Sequence, residues 1–115
     1  MTLEEFYCIA GGSAAETAPR LGGADATRRF LRLFPLDDSF PMLAAALERG
    51  DVQTAFRAAH TLKGVAANLG LERLRAAASD MTECLRRGEL SGAQARFPET
   101  ETAYRRVLAA LEELK

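Results

Sequence analysis

The segment Arg57-Ala58-Ala59-His60-Thr61-Leu62-Lys63-Gly64-Val65-Ala66-Ala67-Asn68-Leu69-Gly70 reads as most of one long helix. Projected at ~100° per residue, Val52, Ala55, Phe56, Ala59, Leu62, Ala66 and Leu69 fall on a single apolar stripe. The pattern predicts a helix from about Val52 to Leu69, roughly five turns long, capped by Asp51 and stopped by Gly70. His60, the only histidine of the chain, lies roughly 120° from the centre of that stripe on the same wheel. Its imidazole is therefore expected to reach solvent beside the seam of a helical bundle.

On either side of this helix the punctuation is regular. Pro35 should close a helix running from about Asp25 through Phe34, because the residue before proline is pushed out of helical geometry. Asp37, Asp38 and Ser39 offer capping groups for the next, from about Phe40 to Arg49, with Pro41 in its first turn and Gly50 at its end. After Gly70 the pattern predicts a helix from Leu71 or Glu72 to about Arg87, ending at Gly88 with arginines where the dipole favours them. Ser91 is a candidate cap for the last helical segment. Pro98 allows two readings there: a kink in a helix begun near Gly92, or the first turn of one begun at Phe97. Glu99 and Glu101 slightly favour the second, since carboxylates suit a helix N-terminus. At the other end, Leu3 to Ile9 reads as a short helix stopped by Gly11 and Gly12, and Ser13 as the cap of a second short turn before Pro19.

Loops of a few residues force successive helices to run antiparallel. The expectation is an all-α protein of one domain over residues 1–115. It comprises an up-and-down four-helix bundle at about 25–114, with short extra helices at about 1–23 packed across it or extending one end. A DNA-binding helix-turn-helix fits less well, because no short basic recognition helix follows the long one; Arg28, Arg29 and Arg32 read as a solvated face.

Composition narrows the function. The chain holds 15 basic and 16 acidic side chains in 115 residues, so its net charge of -1 gives no global pull towards nucleic acid or an anionic membrane. No apolar run approaches the ~20 residues of a membrane span. The acidic start, Glu4 and Glu5 after Met1, lacks the basic region of a secretory signal, and a cytoplasmic protein is expected. Cys8 and Cys84 form no CxxC pair and read as reduced thiols; with one histidine they are too few for a structural zinc site. No bound metal or cofactor is expected.

The chemistry concentrates at His60. A neutral imidazole, with an ordinary pKa of ~6.5, is a good nucleophile near neutrality. No serine or carboxylate stands at helical spacing to form a relay triad. Lys63 and Gly64, three and four positions on, border it on the next turn, and Ala67 continues the strip without bulk. A cation there would hold a phosphoryl group, whose oxygens stay charged during transfer. Gly64 costs a helix ~1 kcal/mol relative to alanine, and clearing space beside the histidine would justify it. Taken singly, each residue has a plainer reading: a surface histidine, a solvated lysine, a glycine permitting close helix packing, and a Phe56 that belongs to the core. The spacing of the three polar-face residues together, flanked by small ones, favours function.

His60-Thr61-Leu62-Lys63-Gly64, followed by Asn68-Leu69-Gly70 and a second amphipathic helix, resembles a histidine phosphotransfer (HPt) domain. The likeness covers about Phe40 to Gly88 well and the rest by helix count. It implies a phosphocarrier, not an enzyme: His60 would take a phosphoryl group, through Nε2, from a receiver-domain aspartate and return it to another in a multistep two-component phosphorelay. It further implies that Lys63 stabilises the phosphoryl group and that Gly64, with Ala67 and Phe56, receives the receiver. Family members often place a polar side chain from the next helix near the imidazole; Ser79 and Thr82 stand about level with His60. The partners implied are response-regulator receivers, which would bring their own Mg²⁺, and a hybrid histidine kinase. Neither nucleic acid nor membrane is among them. With no phosphate-binding loop, autophosphorylation is not expected, and 115 residues suggest a free-standing, monomeric shuttle. The rival readings are a helical adaptor that binds a receiver or kinase without accepting phosphate, and, more remotely, a phosphohistidine phosphatase.

Overall fold

Helical periodicity along the chain is realised as seven α-helices in a computed structural model that describes residues 1–114. They are α1 (Leu3–Ala10), α2 (Ala14–Leu21), α3 (Ala24–Leu33), α4 (Ser39–Glu48), α5 (Val52–Leu69), α6 (Glu72–Arg86) and α7 (Leu90–Glu113), with a 3-10 turn, Phe34–Leu36, between α3 and α4. There is no strand among the described residues.

Helix α5 has the bounds its apolar stripe implies, and its ends show why. Asp51 accepts the Thr54 backbone N–H at 3.1 Å and the Thr54 hydroxyl at 2.7 Å, satisfying a donor left free at the N-terminus. Gly70 turns the chain out at φ 72°, a left-handed conformation that favours glycine. The buried stripe is Ala55, Ala58, Ala59, Leu62, Ala66 and Leu69, with Val52 and Phe56 half-buried along its border. Four alanines on that stripe let the neighbouring helices approach closely. Helix α5 packs against α4 and α6, α6 against α7, and α4 closes the ring on α7. Connections of two or three residues between these four leave only the antiparallel, up-and-down arrangement.

The four helices differ in length, and this assigns a task to the N-terminal ones. At ~1.5 Å per residue, the 10 residues of α4 cover little more than half of the 18-residue α5. Helix α1 packs on α7 and α6, and α3 on α5. Phe6, Tyr7 and Leu31 are wholly buried there. The Tyr7 hydroxyl donates to the Leu69 carbonyl at 2.7 Å, tying α1 to the last turn of α5. Gly12 lies so close to that end that any side chain would strike the Gly70 carbonyl.

Several local expectations are corrected. Helix α7 runs unbroken through Pro98, so the preferred reading of a new helix at Phe97 does not hold. Proline leaves the Gln94 carbonyl without its usual donor, yet apolar contacts on both sides keep the helix in line. Phe97 stacks on Phe40 at 5.4 Å, Tyr104 stacks on Phe40 at 4.0 Å, and Ala93 and Thr100 are wholly buried. Helix α2 likewise continues past Pro19 to Leu21, although Ser13 caps it as expected. Ser91 is not a cap: Gly88, at φ 73°, ends α6 so tightly that α7 begins at Leu90, behind Glu89. Thr2, unremarked in the sequence, forms a reciprocal capping box with Glu5. Cys8 is exposed, Cys84 is buried, and both are free.

Candidate functional site

His60 stands on the outer flank of α5 with its side chain exposed. Among the described residues it has no hydrogen-bond or ion-pair partner, so neither ring nitrogen is committed within the bundle. One turn on, Lys63 is half-buried and Gly64 exposed; a further turn on, Ala67 is exposed. Lys63 makes no ion pair with any described residue, which leaves its charge uncompensated beside the imidazole. A Cβ built on Gly64 would meet nothing within 4 Å. That removes close helix packing as the reason for this glycine and leaves the bare surface it creates. The four residues at i, i+3, i+4 and i+7 form one strip, as their spacing requires.

On the N-terminal side of His60 the strip meets Phe56. Their rings are parallel to within 11° with centroids 6.0 Å apart, an offset stack. The guanidinium of Arg86, from α6, lies 5.1 Å from the centroid of the Phe56 ring and is braced by Glu83 at 3.3 Å. Val52, Gln53, Phe56, Arg57, Leu85 and Arg86 line an open groove of about 410 Å³ between α5 and α6. At the far end, Arg20 of α2 reaches the Ala67 carbonyl at 3.4 Å and the Asn68 side chain at 3.5 Å.

The two hydroxyls considered as second-helix partners fare differently. Thr82 is fully buried and donates to the Ala78 carbonyl at 2.7 Å, so its proton is committed to its own helix. Ser79 is half-buried. Arg86 of α6 also reaches the site, although its place in the sequence marks it only as a cation suited to a helix end. The register that sets Thr82 level with His60 also sets Arg86 level with Phe56, so the same count could have found it. Arg20 has no such signal, because its reach to Ala67 and Asn68 joins residues 47 and 48 positions apart.

Among the described residues, no three or more His, Cys, Asp or Glu side chains converge as a metal site would need. Nor is any helix among them long and apolar enough to cross a membrane.

The model of one protein family, the Hpt domain, matches residues 36–115 of this chain. The chain belongs to the Hpt domain family. Hpt domains are phosphotransfer domains of two-component signalling, carriers in a phosphorelay with receiver and kinase partners, and a helical bundle is their fold. No curated protein and no solved structure matches the chain. The Hpt match begins at Leu36, in the 3-10 turn, so α1 to α3 lie outside it.

Proposed function

We propose that this Hpt domain shuttles phosphoryl groups between receiver aspartates in a multistep relay, with His60 as the phosphoacceptor. The observation that supports this most directly is an imidazole uncovered by any neighbouring chain, next to a lysine and a glycine with open space above it. The unprotonated ring nitrogen, Nε2 in this reading, attacks the phosphorus of a receiver aspartyl phosphate. An N–P bond forms, the acyl P–O bond breaks, and its electron pair leaves with the aspartate carboxylate. The return transfer runs the same step in reverse on a second receiver.

Lys63 offsets charge on the phosphoryl oxygens. Gly64, Ala67 and the exposed part of Phe56 give the receiver its seat. Ser79 is left as the second-helix hydroxyl able to act near the imidazole. The receiver supplies the Mg²⁺; this chain needs no cofactor of its own and does not phosphorylate itself from ATP. Such a carrier works in the cytoplasm as a monomer, since one bundle holds the whole strip, and needs neither nucleic acid nor membrane.

A receiver charged with acetyl phosphate and Mg²⁺ is expected to label the protein in an acid-labile, base-stable form, and His60→Gln to abolish the label. Lys63→Ala should slow transfer about tenfold, the scale of one lost hydrogen bond to a charged group, with an unchanged melting temperature. Labelling of the His60→Gln variant would refute the assignment. A receiver complex that forms without any labelling of the wild type would support the adaptor instead.

A further inference from the structure

Phe56 has a place that neither packing nor docking alone explains. A phenylalanine serving only the core would be buried, yet Phe56 is half-buried on the border of the stripe. One serving only as a docking patch would present a bare ring, yet the Arg86 guanidinium lies over it, 5.1 Å from the centroid. Arg86 is held in turn by Glu83, one turn back on α6. The ring that remains in this succession is His60, parallel to Phe56 within 11° at 6.0 Å.

Helix geometry explains why these two rings meet. Side chains on a helix lean towards its N-terminus, so the imidazole lies over the turn that carries Phe56, four residues earlier, and the Lys63 side chain leans back towards the imidazole. An exposed histidine otherwise samples several χ1 and χ2 wells. A flat neighbour fixed from the adjacent helix favours the wells in which the imidazole lies parallel to it. The plane matters because the lone pair that attacks phosphorus lies in the plane of the imidazole. Holding that plane confines the line of attack to it, and transfer needs attacking and leaving atoms nearly in line.

From this geometry we infer that Phe56 and Arg86 are positioning residues: Arg86 pins the Phe56 ring, and Phe56 holds the His60 imidazole in the orientation from which it attacks. The inference rests on the proposed role of His60 as phosphoacceptor.

Phosphoramidate, a small phosphoryl donor, tests it without a receiver surface. Two quantities are measured on the full chain: the rate of His60 labelling, and the ring-to-ring nuclear Overhauser contacts between His60 and Phe56. Arg86→Ala and Phe56→Ala are each expected to slow labelling about fivefold, the scale of a cation–π or stacking contact, and to weaken the contacts of the His60 ring with its neighbours. Phe56→Tyr, which keeps the flat ring, should restore the wild-type rate. If Phe56→Ala fails to fold, the exposed Arg86→Ala still decides the matter.

Wild-type labelling rates with an unchanged His60 ring in Arg86→Ala would overturn the inference. So would slowing confined to transfer from a receiver, which would make Arg86 a docking residue. Should the wild type take no phosphoryl group from phosphoramidate or from a charged receiver, the phosphoacceptor reading itself fails. Retained wild-type labelling with insensitive variants defeats the positioning role alone.

Discussion

At the scale of single residues, the strip along α5 separates chemistry from stability. His60, Lys63 and Gly64 contribute little to the core, because their side chains, or the space where one would be, face outward. Gly64 makes this measurable. With nothing within 4 Å of an added Cβ, Gly64→Ala should stabilise the protein by about 1 kcal/mol, the usual gain in a helix interior. A bulkier side chain, as in Gly64→Leu, should leave the melting temperature near that of the wild type while slowing transfer from a charged receiver. Equal losses of stability and transfer in thermal melts and transfer assays would return this glycine to a packing role. The strip itself was legible, because i, i+3, i+4 and i+7 positions share a helix face in any fold. The sequence leaves Phe56 between core and docking; its pairing with Arg86 depends on where a second helix lies.

At the scale of elements, capping and glycine chemistry fixed the helices well and prolines misled. The ends of α5 follow from Asp51 and Gly70, both local effects. Pro98 is the opposite case: its local cost argues for a helix boundary, but Phe97, Thr100 and Tyr104 pack on other elements and override it. Helix α7 therefore carries a standing defect. Pro98 is exposed, so Pro98→Ala removes no core contact and supplies an N–H to the Gln94 carbonyl. A net gain of about 1–2 kcal/mol is expected in urea unfolding, the helix-interior penalty of proline less the freedom that alanine returns to the unfolded chain.

At the scale of the whole molecule, the N-terminal helices complete a bundle whose fourth side α4 is too short to close. The join between Tyr7 and Leu69 ties them to the helix that carries His60. Burial pushes the Tyr7 hydroxyl from its ordinary 10.0 up to about 12. A group whose pKa is raised by folding contributes stability that is fully present below pH 10.0 and is lost as pH rises towards about 12, because the unfolded chain gives up its proton first. Tyr7→Phe should cost about 1 kcal/mol at neutral pH through the unpaired Leu69 carbonyl. It should also flatten the decline in stability across that alkaline range, read by denaturant titration at several pH values.

Helix type, the faces of each helix, most caps and the histidine strip were determined by the sequence, because all depend on neighbours within four residues along the chain. The long-range partners came only with the tertiary structure: α1 and α3 closing the side above α4, α7 held straight through its proline, Thr82 turned inward, and Arg86 laid over Phe56. Each of these is set by packing between segments far apart in the chain, where the burial of apolar surface and the approach of one backbone to another outweigh local preference.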